Sequence, residues 1–75
     1  MGLNDAGQRL RRELLNMAFR HEGLATDLSR SAGQLPASQA EHLVRMAAFL
    51  QRDAERLIAI AEQVRGGSIS VADGP

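Results

Sequence analysis

The chain has 75 residues, no cysteine, two histidines, and nine basic residues balanced by nine acidic ones. That length limits it to one small domain with a marginal core, and the missing cysteine excludes disulfide staples. Zero net charge argues against a protein built to coat nucleic acid. The longest apolar stretches, Met46 to Leu50 and Leu57 to Ala61, fall far short of the roughly 20 residues a membrane span needs.

The segment Met1-Gly2-Leu3-Asn4-Asp5 has no basic region followed by an apolar run. It does not read as a signal peptide, and a cytoplasmic setting is expected. All nine basic residues are arginine and none is lysine, which fits the codon bias of a GC-rich, bacterial genome.

Asn4 or Asp5 is placed to cap a first helix. Asp5 with Gln8 resembles a capping box, and Leu3 is placed to staple the entry. Apolar periodicity then runs Leu10, Leu14, Met17, His21, Leu24, Leu28, in alternating steps of four and three, the signature of a seam repeating every 3.5 residues. Helix one is predicted over about 5–32. Gly23 falls on its outer face, a weak point costing up to about 1 kcal/mol against alanine.

The pattern breaks at Ser31-Ala32-Gly33-Gln34-Leu35-Pro36. Gly33 suits a left-handed residue just past a helix end, and Pro36 can open the next helix. Ser38 with Glu41 forms an S-x-x-E capping box. The spacing predicts a turn over 33–37 and a second helix over about 38–65, which so short a turn sends back antiparallel to the first.

Helix two carries alanines at 40, 47, 54 and 61, seven apart, with Leu43, Leu50, Leu57 and Val64 at the other seam position. Folding the chain about residues 35 and 36 sets Leu24 against Ala47, Met17 against Ala54 and Leu10 against Ala61. Leu28 then meets Leu43 and Leu14 meets Leu57, so large and small side chains interdigitate. His21 falls in the seam opposite Leu50, with Asp53 as its expected hydrogen-bond partner. Gly66-Gly67 ends the helix. Residues 68–75 read as a flexible tail, although Ser68-Ile69-Ser70-Val71 alternates like a short strand.

Residues 1–67 therefore read as one all-α domain, an antiparallel two-helix hairpin with an alanine-rich heptad seam. Apolar residues remain outside that seam. Met46, Phe49 and Ile60 form a second stripe on helix two, in line with His42 and Asp53, while Val44 and Ile58 widen the other flank. The first stripe is assigned to self-association, two hairpins dimerising into a four-helix bundle. On helix one, Leu15 and Phe19 stand one turn apart and point away from the seam. They are assigned to contact with a different protein.

Catalytic chemistry finds no support. The chain has no glycine-rich phosphate loop, no H-E-x-x-H and no G-x-S-x-G. His21-Glu22 and Glu41-His42 are adjacent pairs whose members point to different helix faces, so no metal site, catalytic group or cofactor is expected.

Arg9, Arg11, Arg12 and Arg20 on helix one, with Arg45, Arg52 and Arg56 on helix two, are the candidate nucleic-acid contacts of an alternative reading as a small dimeric regulator. Glutamates interleave with them at helical spacings (Glu41 to Arg45, Arg9 to Glu13, Arg52 to Glu55), which is the pattern of a solvated, ion-paired face. Ala25 to Leu35 resembles the phosphoacceptor segment of histidine-phosphotransfer domains. Thr26 stands where that family has its histidine, and Ser29-Arg30 stand where it has lysine-glycine. Both departures remove the chemistry, and membership is not assigned. The reading that follows is a non-enzymatic protein–protein interaction module: an adapter, regulator, or assembly or chaperone subunit.

Overall fold

The computed structural model describes residues 4–67. These form two helices, α1 (Asp5–Ala32) and α2 (Ala37–Arg65), packed against each other as a hairpin. Neither is long and apolar enough to cross a membrane.

The helix ends show which local signals decide them. The Asn4 side chain accepts a 2.6 Å hydrogen bond from the Gly7 amide, so Asn4 is the cap and Asp5 the first helical residue. Gly33 is not left-handed. Its φ is −64°, and the chain leaves α1 through tight three-residue turns, with the amides of Gly33, Gln34 and Leu35 bonding the carbonyls of Arg30, Ser31 and Ala32. Ser38 does not cap α2 either. Pro36 takes the capping position with extended ψ, and its carbonyl accepts from the Ala40 amide at 2.9 Å. Once the proline fixes the start at Ala37, Ser38 is already inside the helix and the S-x-x-E box has nothing to close. At the far end Gly67, at φ +83°, supplies the left-handed residue after α2. Leu3 and the alternating segment from Ser68 to Val71 lie outside the described residues.

The seam differs from the expected one on α1. The buried residues are Ala18, Ala25 and Ala32 on α1, with Gly7, and Ala47, Ala54, Ala61 and Val64 on α2. Met17 and Leu24, expected to face alanines of helix two, are 38% and 53% exposed. Helix one is thus turned by about one position, and alanine meets alanine. Ala25 and Ala47 each lie eleven residues from Pro36, Ala18 and Ala54 each eighteen. Among the described residues, the opposite helix is what can bury them so completely. Small side chains on both sides let the backbones approach closely. Leu14, Leu28, Leu43, Leu50 and Leu57 close over the edges of the seam, half-buried.

Candidate interaction surfaces

At about 100° per residue, Met17 and Leu15 lie roughly 80° to either side of the Leu14–Ala18 seam line. The hairpin therefore has two different flanks.

On the first flank, Met17 and His21 of α1 line a groove with Asp53, Arg56, Leu57 and Ile60 of α2. The rows continue along both helices at seven-residue steps: Leu10, Met17, Leu24 on α1, and Met46, Asp53, Ile60 on α2, with Phe49 seven residues from Arg56. Met46 and Phe49 are exposed, Phe49 at 66%, and Ile60 is half-buried. The Arg52 guanidinium lies 5.5 Å from the Phe49 ring centre, a cation–π contact that covers only part of the ring. His21 is half-buried, and its Nδ1 lies 2.8 Å from the Met17 carbonyl, one turn back. The expected bond to Asp53 is not formed, because the backbone acceptor on its own helix is nearer to hand.

On the second flank, Leu15 and Phe19 sit in a groove with Arg11, Arg12 and Arg65. Leu15 is half-buried and Phe19 is 61% exposed. Seven residues further along, the same rows turn polar: Glu22 and Thr26 face Gln51 and Glu55 across the hairpin, and the Thr26 hydroxyl donates to the Glu22 carbonyl at 3.0 Å. The apolar patch is therefore short, basic at one end and acidic at the other. Val44 is exposed and Ile58 half-buried on this side of α2.

The structure divides the arginines. Arg9, Arg12 and Arg20 are exposed on α1. Arg11 is drawn toward α2, where it lies 3.7 Å from Glu62. Arg45 pairs with Glu41 at 3.5 Å, while Arg30 pairs with Asp27 at 3.9 Å and Arg65 with Glu62 at 3.2 Å. The pairs expected between Arg9 and Glu13 and between Arg52 and Glu55 are not formed, and Arg52 turns instead to Phe49. Sequence spacing missed the Arg11–Glu62 contact because it joins residues far apart in the chain. Among the described residues, no three histidine, aspartate or glutamate side chains come together in a way that could hold a metal ion. Compared with known proteins, the chain matches no family model, and no curated protein or solved structure is significantly similar to it.

Proposed function

We propose that the chain is a non-enzymatic interaction module: a helical hairpin that self-associates into a four-helix bundle through the Met46–Phe49–Ile60 flank and offers the Leu15–Phe19 groove to a protein partner. One observation carries this reading. The buried core consists of small side chains, while Met17, Phe19, Leu24, Val44, Met46 and Phe49 along the two helices are all exposed. A chain this short builds only a marginal core from its own seam, and exposed large apolar residues lying together mark surfaces that are covered in the working assembly. Roles as adapter, regulator, or assembly or chaperone subunit share this requirement.

The two flanks suit different occupants. The first is broad and runs the length of the hairpin, as a bundle interface does. The second is a short apolar patch among Arg11, Arg12 and Arg65, which suits a segment that brings acidic side chains around an apolar anchor.

Sedimentation of the native chain and of Phe49→Ala over a range of concentrations tests the reading. The native chain is expected to dimerise and the variant to do so much more weakly; a native chain that stays monomeric removes the self-association. Heparin retention at low and moderate salt tests the competing use of the arginines, since tight binding that falls steeply with salt is the mark of a nucleic-acid surface.

A further inference from the structure

The first flank holds an acid and a base in the middle of an apolar surface. Asp53 and Arg56 both line its groove, and neither has an ion-pair partner among the described residues, as is also true of Arg9, Arg12, Arg20 and Arg52 outside it. Asp53 stands midway along its row, seven residues from Met46 and seven from Ile60, just as Met17 stands midway between Leu10 and Leu24. A partner covering this flank must meet the apolar ends and also pair both central charges, because an unpaired charge trapped in an interface is costly.

Resting on self-association through this flank, we infer that its occupant is a second copy of the chain in one particular arrangement. The two hairpins lie face to face with their turns at opposite ends, about a two-fold axis that crosses the helices at right angles at the level of Ala18 and Ala54. On α1 the axis passes Met17, so Met17 meets the second copy's Met17, and Leu10 meets the second copy's Leu24. On α2 the axis passes between Ala54 and Glu55. Asp53 and Arg56 are equally far from that point, as are Phe49 and Ile60. Asp53 therefore meets the second copy's Arg56, and Phe49 the second copy's Ile60. The two helices agree on the height of the axis to within half a residue, since Met17 is nineteen residues from Pro36 and the point between Ala54 and Glu55 is between eighteen and nineteen.

Such an interface is isologous: each contact occurs twice, and both charges of each copy are paired. Placing both turns at the same end instead lays α1 of one copy over α2 of the other. That sets Asp53 and Arg56 against Met17 and His21, where Asp53 can meet an imidazole but Arg56 meets no acid. The charge pattern thus selects between the two ways of stacking the same apolar faces.

Charge reversal tests the arrangement. Asp53→Arg and Arg56→Asp should each weaken dimerisation roughly tenfold or more, because like charges then face each other twice. An equimolar mixture of the two variants should regain a dimer of near-native affinity, since each copy presents the charge the other lacks. Both residues are exposed in the single hairpin, and helical content by circular dichroism checks that each variant folds. A second measurement needs no charge change. The chain has no cysteine, so Met17→Cys treated with a mild thiol oxidant should form a disulfide-linked dimer, whereas Leu24→Cys alone should not. A native chain that stays monomeric overturns self-association and this arrangement together. A native dimer that tolerates both charge reversals, fails to recover in the mixture, or does not cross-link through Met17→Cys overturns the arrangement alone.

Discussion

Arg11 reaches across the hairpin to Glu62, with its guanidinium 3.7 Å from the carboxylate and its own Nε buried without a hydrogen-bond partner. Arg11 stands seven residues before Ala18, at the place where the alanine row of α1 would continue. The ion pair is partly solvated, Glu62 is shared with Arg65, and such pairs contribute about 0–1 kcal/mol. Arg11→Ala would remove the pair but also the orphaned Nε, and it would extend the alanine row. The expected change in stability is therefore within about 1 kcal/mol, measured by urea unfolding. A loss of several kcal/mol would show that Arg11 latches the helices together.

The alanine seam makes a sharper claim. Ala25→Leu or Ala54→Leu would force a branched side chain between closely packed backbones and should cost about 1–3 kcal/mol or more. Leu24→Ala, one residue away on the exposed flank, should change the stability of the dilute monomer by no more than about 0.5 kcal/mol. Chemical unfolding at low protein concentration makes the comparison. A larger loss for Leu24→Ala than for Ala25→Leu would restore the seam that periodicity alone suggests.

Glycines at two sites should respond in opposite directions. A Cβ added at Gly23 meets nothing within 4 Å, so Gly23→Ala should stabilise α1 by about 0.5–1 kcal/mol, with a matching rise in melting temperature. Gly67 holds a left-handed backbone at φ +83°, and Gly67→Ala should cost roughly 1 kcal/mol by straining the exit from α2. Equal melting temperatures for the two variants would contradict both assignments.

The two phenylalanines lie on opposite flanks and should separate two activities. Phe19→Ala should leave sedimentation of the dimer unchanged and weaken capture of an acidic, amphipathic helical peptide. Phe49→Ala should do the reverse. Both rings are mostly exposed in the single hairpin, so neither truncation should shift the unfolding of dilute monomer by more than about 0.5 kcal/mol. Loss of dimer in Phe19→Ala would mean that the bundle forms through the arginine-lined flank instead.

The hairpin and the alanines of helix two can be read from the chain because the break from Gly33 to Pro36 and the heptads agree there. Helix one misleads, since the leucines and methionine at 10, 14, 17, 24 and 28 outweigh alanine in apolarity and His21 keeps their spacing. Ala18, Ala25 and Ala32 carry a quieter signal, visible only when their distances from Pro36 are compared with those of Ala54, Ala47 and Ala40. Size lost to fit: with only one opposing helix, close contact between backbones wins over burial of the largest side chains. The capping residues were ambiguous for a similar reason. Asn4 and Asp5, or Pro36 and Ser38, both satisfy local rules, and only the path of the chain chooses between them. The grooves needed both helices in place, as Arg11 with Glu62 and Met17 with Ile60 are brought together only by folding.

An alanine row that repeats every seven residues cannot by itself tell one register from the next. Sliding α2 along α1 by one repeat, about 10 Å, would again set methyl groups upon methyl groups. The connection from Gly33 to Pro36 forbids that slip, since four residues already committed to tight turns and to a proline hold no slack to follow it. The turn thus works as the index pin of a vernier whose graduations are identical. Its length decides which alanines coincide, and through them which side chains line each flank.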